Sequence, residues 1–459
     1  MLFNSQIFLL LFLPFVVAVY YVIPAQKYRI WFLILASLSF YAYWDYRFLP
    51  LLFISVLINW CASIIYMRSK AVLIIYAGVL LNLIIIGVFK YFDFFSSSLS
   101  HFFDYASHSY SIILPLGISF FTFQQISYLI DLKRGQGKVY RFDEYILFVT
   151  FFPQLIAGPI VRHNEIISQF WKSPFRPNLH ENFTRGLVLT VLGLAKKVFF
   201  ADEYGIFIDE GVVVMLAEDS ISAATAWLFA LSYTLQLYFD FSAYSDMAIG
   251  LGAMFGFTLP RNFKTPYISR NLSEFWKRWH ITLSRFFRDY LYIPFGGSWN
   301  GYGRYLVAVL ATMTLCGLWH GADWSFVVWG FLHGCGLAIY FTWKKTGIHL
   351  PFLIAWLLTF LFVVNGWVLF RLEDFSQAKE VLLAMYGFNF ESALFIFSDN
   401  TFFIIIGLIL SIFGPNNHQL AYKKMKNTKF WVYPIALLLA ISVVWVGGER
   451  EIKFIYFQF

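Results

Sequence analysis

Apolar runs that are long enough to cross a membrane as helices alternate with short polar segments along most of the chain. The runs that we predict as membrane segments are 7–23, 30–43, 49–67, 72–89, 115–130, 324–343, 350–370, 402–413 and 432–446. Two further apolar runs, 183–200 and 221–256, also carry charged side chains, and the second is long enough for two helices. The pattern predicts an all-α, polytopic integral membrane protein with roughly ten to twelve transmembrane helices.

One apolar run differs from the others because it is short and interrupted. Residues 145–161 contain Pro153, Gly158 and Pro159, which disfavour a continuous helix. Irregular backbone is tolerated at membrane depth where other parts of the protein bury it. We therefore predict a re-entrant or half-buried segment here, and not a full span.

Composition and charge narrow the class of protein. Hydrophobic residues make up 59% of the 459 residues and charged residues only 13%, which excludes a soluble protein of this length. The formal net charge is +8, but the cations lie in short segments between the apolar runs, so we expect no nucleic-acid partner. Segment 93–110 has no lysine or arginine, whereas the neighbouring basic segments carry Lys27, Arg29, Arg68 and Lys70. This alternation predicts a multi-pass protein of the cell (inner) membrane with its N-terminus outside.

Several kinds of site are disfavoured by the sequence. The three cysteines, Cys61, Cys316 and Cys335, all lie in apolar runs, which argues against a disulfide framework and against a zinc site. The chain has no GxxxxGK[ST], GxGxxG, HExxH or GxSxG motif. We expect neither a bound metal nor a bound cofactor.

Segment 271–293 combines charged and aromatic residues at helical spacing. One arc of the predicted helix holds its charged residues, which are Glu274, Lys277, Arg278, Arg285, Arg288 and Asp289. The opposite side holds its large apolar residues, which are Leu272, Trp276, Trp279, Leu283, Phe286, Phe287 and Tyr290. We predict one amphipathic helix in the membrane interface, with Ser273 as its cap and His280 on the flank of the apolar face.

Two histidines are candidates for chemistry. His320 ends a nearly uncharged run just before Gly321, and an ionisable residue at such a place is a functional candidate. A neutral imidazole is also a natural general base near pH 7. The alternative is that His320 only bonds a backbone carbonyl, and that His280 only anchors its helix. For His333 we favour a packing role over a chemical one. Asp240 and Asp246 are buried acids that need internal partners or a polar cavity.

A series of longer motifs resembles one known family. The matching pieces are PLGISFFTFQQISYLID, FFPQLIAGPIVR, LYFDFSAYSDMAIGLG, NFKTPYISRNLSEFWKRWHITLSRFFRDYLYIPFGG, GLWHGADWSFVVWGFLHG and the terminal FIYFQF. They span nearly the whole chain in the expected order. The chain resembles the membrane-bound O-acyltransferase family, and within it the bacterial branch of alginate and peptidoglycan O-acetyltransferase membrane subunits.

This resemblance implies a fold, a reaction and its residues. It implies a single membrane domain over 1–459, with N-terminal spans in 1–114, a core in 115–345 and C-terminal spans in 346–459, around a central tunnel. His320 matches the position regarded as catalytic, and His280 matches the second characteristic polar position. As substrate-binding residues we predict Trp319, Arg278 and Asp240.

The implied reaction is an O-acetyl transfer across the membrane. The donor is cytoplasmic acetyl-coenzyme A, a substrate and not a bound cofactor, and the acceptor is an exported polysaccharide such as an alginate-like exopolysaccharide or peptidoglycan. The implied partners are membrane lipid and an extracytoplasmic SGNH-type protein that receives the acyl group. Two alternatives remain open on the sequence: a lysophospholipid or other lipid acyltransferase, and a transporter or flippase for a lipid-linked sugar, whose inverted halves we do not find.

Overall fold

The computed structural model describes residues 1–103, 112–175, 177–217, 221–299, 301–372, 374–387, 399–424, 428–446 and 454–455. Regular structure in these residues is helical, and none of them lies in a β-strand. The α-helices in chain order are α1 (Leu13–Val22), α2 (Gln26–Asp45), α3 (Leu49–Ser69), α4 (Val72–Ile86), α5 (Phe92–Phe103), α6 (Ile118–Lys133), α7 (Phe142–Thr150), α8 (Phe152–Leu155), α9 (His163–Ile166), α10 (Leu179–Lys196), α11 (Asp202–Ala217), α12 (Ala223–Met254), α13 (Leu272–Trp276), α14 (Ile281–Phe287), α15 (Tyr302–His320), α16 (Trp324–Lys345), α17 (Phe352–Arg371), α18 (Phe375–Met385), α19 (Asp399–Phe413), α20 (Asn417–Gln419) and α21 (Thr428–Val446).

Several of these helices have the length and composition of membrane spans. Within the part of the chain that the structure describes, four helical stretches qualify on both counts, which are Gln26–Ser69, Val72–Ser100, Trp324–Lys345 and Phe352–Arg371. Shorter apolar helices cover Ile7–Val22, Thr401–Phe413 and Phe430–Val446. The chain is therefore a multi-pass helical membrane protein, as the sequence predicts. The total of ten to twelve spans, the N-terminus outside and the central tunnel stay predictions, and residues 104–110 of the lysine-free segment lie outside the described residues.

The boundaries of the predicted runs are close to those of the helices, with one exception. The run 221–256 was long enough for two helices, but it forms the single 32-residue helix α12. No proline interrupts it, and its glycines, Gly250 and Gly252, lie close to its C-terminal end. The run therefore forms one long helix, although its length would have allowed two.

The chain divides into two compact units, each made of several stretches. The first unit contains 1–191, 244–260 and 427–447. Polar side chains join its apolar helices: Asn82 Nδ2 of α4 donates to Asn59 Oδ1 of α3 at 2.7 Å. Gln125 Nε2 of α6 donates to Ser55 Oγ of α3 at 2.9 Å. Such pairs stabilise helix contacts where lipid offers no alternative partner.

The interrupted segment lies inside the first unit. It forms α7 and the short α8, which meet at Phe151, and its residues from Tyr145 to Val161 are buried. The Phe152 N–H, which directly follows the break, donates to Ser37 Oγ of α2 at 3.1 Å. The prediction of a broken segment is confirmed, and burial by protein accounts for its irregular backbone.

The second unit contains 192–243, 261–426 and 448–459. Its centre is the hairpin of α15 and α16, which approach closely at glycines. A Cβ atom at Gly317 would overlap the Phe326 carbonyl oxygen, and one at Gly330 would overlap the Met313 carbonyl oxygen. Only glycine permits this approach, which sets the end of α15 against the first turns of α16.

Candidate active site

The predicted amphipathic helix is broken at His280. The structure has α13, a turn, and then α14, with His280 between them in the left-handed region at φ 40° and ψ 55°. This conformation is uncommon for a residue with a side chain and costs backbone energy. The single continuous helix over 271–293 is therefore a wrong prediction. Its cap was also misassigned, since Asn271, and not Ser273, accepts from the Glu274 N–H, at 2.8 Å.

The two predicted faces survive the break. All of the large apolar residues that the pattern placed on one side are buried: Leu272, Trp276, Trp279, Leu283, Phe286, Phe287 and Tyr290. His280 is also buried, with none of its surface exposed. The hydrophobic pattern thus predicted which side chains turn inward, although it did not predict the backbone that carries them.

Asn262 holds the backbone and the ring of His280. The Asn262 carbonyl oxygen accepts from the Ile281 N–H at 2.9 Å, immediately after the strained residue. The Asn262 Oδ1 atom accepts from the Thr282 N–H at 3.3 Å and from Thr282 Oγ1 at 3.0 Å. A backbone N–H can only donate, so the amide atom that it meets is the oxygen.

This arrangement assigns the tautomer of His280. Its Nδ1 atom lies 3.1 Å from Asn262 Oδ1, which is an acceptor, so Nδ1 carries the hydrogen and donates. Burial lowers the pKa of His280 to about 3, which keeps the ring neutral at physiological pH. The Nε2 atom of His280 therefore carries a lone pair, which is the form that a base or a hydrogen-bond acceptor requires.

His280 lies beside the other candidate histidine. The ring centroids of His280 and His320 are 6.5 Å apart. The ring centroid of His280 lies 4.6 Å from that of Phe241 and 6.0 Å from that of Trp319. The structure thus brings together three of the predicted site residues, His320, His280 and Trp319.

His320 is the last residue of α15, as the sequence predicts, and it is 3% exposed. The next residue, Gly321, is extended, and a Cβ atom there would overlap the Phe326 ring. The His320 ring packs edge-on against Trp329 and Phe370, with ring centroids 5.4 Å and 5.2 Å apart. Aromatic walls and the helix end thus fix the imidazole in an enclosed, largely apolar place.

A cleft of about 500 Å³ runs along α15 near this histidine pair. Its walls include Trp276, Met313 and Cys316, and Cys316 lies one helical turn before His320. The cationic side chains that line the cleft are Lys277, Arg285, Arg288 and Lys344. Arg288 also pairs with Asp289 at 2.7 Å. The cleft therefore combines a basic lining with apolar walls.

Two predicted substrate-binding residues have structural partners. Arg278 does not line the cleft; its Nη2 atom donates to Glu274 Oε1 at 2.9 Å and its Nη1 atom to the Lys264 carbonyl oxygen at 3.2 Å. Asp240 Oδ1 lies 2.7 Å from Lys197 Nζ. These contacts join elements within the second unit, and a role of Arg278 or Asp240 in substrate binding stays a prediction.

The pairing of Asp240 also involves the end of the chain. Asp240 Oδ2 accepts from the Ile455 N–H at 2.7 Å, and Lys197 Nζ lies 4.4 Å from the centroid of the Phe454 ring. The terminal FIYFQF motif begins with these two residues, and its last four residues lie outside the described residues. Within the described parts of the chain, no group of three or more His, Cys, Asp or Glu residues is arranged to hold a metal ion.

Comparison with known proteins identifies the family. The model of the membrane-bound O-acyltransferase family matches residues 132–373, more than half of the chain. The chain belongs to the membrane-bound O-acyltransferase family. This stretch contains His280, His320 and the cleft that lies beside them.

Individual relatives agree with the family assignment. The chain is 35% identical to a peptidoglycan O-acetyltransferase of Helicobacter pylori, over 100% of this chain and 98% of the relative. It is 42% identical to a probable alginate O-acetylase AlgI of Pseudomonas syringae, over 85% of this chain and 76% of the relative. A teichoic acid D-alanyltransferase of Streptococcus thermophilus is 30% identical over 51% of this chain and 60% of the relative. The protein is therefore a membrane-bound acyltransferase.

Sequence reasoning missed two residues of this site. Asn262 lies 18 positions before His280 and carries no periodic signal, yet it fixes the His280 tautomer. Phe241, which contacts the His280 ring, follows the buried Asp240 on α12. The sequence indicated buried acids at Asp240 and Asp246 in this stretch, but spacing alone did not connect Phe241 to His280.

Proposed function

We propose that this acyltransferase takes an acetyl group from cytoplasmic acetyl-coenzyme A and passes it to a hydroxyl group of an exported polysaccharide. The observation that carries the proposal is the cleft with a basic lining that reaches Cys316, one turn before His320. Cationic side chains suit the phosphates of coenzyme A, and apolar walls suit the rest of a thioester arm. Lys277, Arg285 and Lys344 are the residues that we assign to the phosphates.

The proposed chemistry is an acyl transfer from sulfur to oxygen. His320 Nε2 removes the proton of the acceptor hydroxyl as its oxygen attacks the thioester carbonyl carbon. The carbonyl oxygen becomes an oxyanion, for which the Trp319 indole N–H is a suitable donor. The carbon–sulfur bond then breaks, the proton passes to the departing thiolate, and coenzyme A and the acetyl ester are the products. His280 Nε2, with its lone pair, orients the proton or the hydroxyl during this transfer.

The names of the relatives support the class of acceptor. Their names specify peptidoglycan and alginate, which are both polysaccharides found outside the cytoplasmic membrane. We propose an acceptor of this class, a location in the cell inner membrane, and an extracytoplasmic SGNH-type partner that completes the delivery. We also propose that the Lys344 end of α16 faces the cytoplasm, where the donor is made, because Lys344 and Lys345 form a basic segment between apolar runs.

The test is release of coenzyme A from acetyl-coenzyme A by purified protein in lipid nanodiscs, with the SGNH-type partner and a polysaccharide acceptor present. The His320→Ala variant should lose at least about 10²-fold in kcat, the range expected for a positioned general base. His349→Ala is the matched control, because His349 is exposed and lies beyond the end of α16. Equal rates for His320→Ala and the wild-type protein would refute the catalytic role of His320.

The same assay tests the donor cleft. Lys344→Gln should raise the KM for acetyl-coenzyme A by several-fold and leave kcat nearly unchanged, because it weakens binding and not the chemical step. The increase should shrink at high salt, where charge attraction is screened. Lys345→Gln is the control, since the adjacent Lys345 is exposed and does not line the cleft. An unchanged KM in Lys344→Gln would contradict this placement of the phosphates.

A further inference from the structure

A second cavity of about 530 Å³ also lies in the second unit, between α16, α17 and α18. Its walls are mostly apolar and include Leu332, Phe362 and Leu369. Lys379 and Tyr386, which also line it, are exposed side chains of α18 and the residue after it. The cavity is thus apolar inside, with polar groups where it opens.

Two buried polar side chains line the deep part of this cavity. His333 is 1% exposed and Trp329 is not exposed at all. Neither ring nitrogen of His333 has a hydrogen-bond partner among the described residues, and the same holds for the Trp329 indole N–H. Burying such groups without a partner is costly, typically by about 1–3 kcal/mol for each group. The fold therefore retains polar groups that apolar packing alone does not require.

The two side chains point to one place, which Gly366 of α17 leaves open. A Cβ atom built on Gly366 would lie 3.3 Å from His333 Nε2 and 3.4 Å from Trp329 Nε1. Gly366 also lines the cavity. Both nitrogens thus lie on the same side of Gly366, where the absence of a side chain leaves room for a small polar group between them.

The chemistry of these nitrogens selects the group that fits. Trp329 Nε1 is always a donor, whereas His333 Nε2 donates or accepts according to its tautomer. Two N–H groups directed at one point repel each other, which favours the tautomer with a lone pair on His333 Nε2. A donor and an acceptor that converge on one point match a hydroxyl group, whose oxygen accepts from Trp329 and whose hydrogen is donated to His333.

We propose that this cavity binds an amphiphilic alcohol, with the hydroxyl group between Trp329 and His333 and the apolar body along the cavity walls. The site goes beyond the acetyl transfer proposed above, because binding there requires no turnover. It is also close to the reaction centre, since the Trp329 ring contacts both His333, at 4.6 Å, and His320, at 5.4 Å. An occupied cavity would hold the Trp329 wall of the His320 site in place.

The test is photolabelling of the full chain in detergent micelles by a long-chain primary alcohol with a diazirine on its chain. The methyl ether of the same probe keeps the chain and the oxygen but has no hydroxyl hydrogen. Mass spectrometry of the labelled peptides then reports whether α16, α17 and α18 are modified. We expect the alcohol to label these helices at least about tenfold more than the ether, the factor expected for one buried hydrogen bond.

Two variants and one control complete the test. Gly366→Ala places a methyl group near both nitrogens, and His333→Phe keeps an aromatic ring without its polar atoms; each should reduce labelling by about tenfold. Gly303→Ala is the matched control, because a Cβ atom at Gly303 meets no other atom within 4 Å. Size-exclusion chromatography selects folded protein for every variant.

Each result decides the proposal. Labelling of the cavity helices by the alcohol that falls in both variants and not in the control supports it. Equal labelling by the alcohol and the ether, or labelling that Gly366→Ala and His333→Phe leave unchanged, would show only partition of the probe into an apolar surface and would overturn it. Absence of label from these helices, with the cavity occupied by water alone, would overturn it as well. A catalytically silent His320→Ala protein that still binds the alcohol would separate this site from the proposed transfer.

Discussion

His163 in the first unit and His280 in the second are both buried histidines, but their rings are held in different ways. His163 Nδ1 lies 2.9 Å from the Tyr140 hydroxyl, and its Nε2 lies 3.3 Å from Asp131 Oδ2. Both ring nitrogens thus face a polar side chain of their own unit. The ring of His280 is fixed through Nδ1, by Asn262, and is surrounded by Phe241, Trp319 and His320.

The difference shows that burial does not by itself mark a reactive histidine. In the first unit, Asp131 lies in the last turn of α6, Tyr140 precedes α7 and His163 begins α9, so their contacts join three segments. A ring whose two nitrogens each lie beside a polar side chain of another segment serves to hold structure. In the second unit one nitrogen orients the ring and the other keeps its lone pair next to a second histidine. That arrangement suits proton transfer, and it requires a strained backbone that Asn262 stabilises.

The largest effect that separates the two histidines should follow from removal of the His280 ring. We expect His280→Ala to lower the rate of acetyl transfer by about 10²-fold, the lower range for a group that takes part in proton transfer. His280→Gly removes the same ring but suits the positive φ of 40°. It should be as inactive as His280→Ala and more stable, because glycine adopts this backbone without strain.

The measurement is the transfer rate together with the thermal midpoint of each variant in the same detergent. If backbone strain alone made position 280 important, His280→Gly would keep its activity. Comparable loss in both variants, with a higher midpoint for glycine, isolates the contribution of the imidazole. Activity near the wild-type level in His280→Gly would place His280 with His163 as a structural residue.

A smaller effect should follow when the ring stays and its anchor changes. Asn262→Ala should lower kcat by about tenfold, since the His280 N–H loses its acceptor and the ring its orientation. Asn262→Asp keeps an acceptor but adds a negative charge, which favours the protonated ring and raises the pKa of His280 above its value of about 3.

The pH profile distinguishes these two variants. In the wild-type protein burial holds the pKa of His280 at about 3, so this ring adds no acid limb to the rate near neutrality. In Asn262→Asp the protonated form extends to higher pH, and activity should fall at a pH where the wild-type protein is still active. Thr282→Val is the control, because it removes another partner of Asn262 Oδ1 and leaves the contact with His280. An identical acid limb in the wild-type and Asn262→Asp proteins would contradict this assignment of the His280 anchor.

What the sequence could and could not predict follows from the range of the interactions. Apolar runs and the two faces of 271–293 depend on neighbours within a few residues, and the structure confirms them. His320 at the end of α15 was likewise predictable, since Gly321 follows it. The break at His280 was not, because Trp279, His280 and Ile281 have no local helix-breaking signal and the left-handed backbone is held by Asn262.

The partners of Asp240 illustrate the same limit over a longer distance. Its carboxylate accepts from the Ile455 N–H, 215 positions further along the chain. The sequence indicated that a buried acid needs a partner, but no periodicity identifies which donor supplies it. The polar partners of His280 and Asp240, which are Asn262 and Lys197, are likewise fixed by packing of distant segments and become visible only in the fold.

The smallest effect on activity should come from the histidine of the first unit. His163→Phe keeps a buried ring but removes its contacts with Tyr140 and Asp131, and the buried Asp131 carboxylate loses a neighbour. We expect a loss of stability of about 3 kcal/mol, as for a broken buried polar pair, seen as a lower thermal midpoint. The transfer rate per folded molecule should stay within about twofold of the wild-type value, because no reacting group has been removed. Tyr140→Phe, which removes only the hydroxyl, should show a smaller shift of the midpoint in the same direction. A large fall in kcat for His163→Phe, at an unchanged KM and in fully folded protein, would mean that both buried histidines take part in the reaction. Polar neighbours at both ring nitrogens would then not mark a structural histidine.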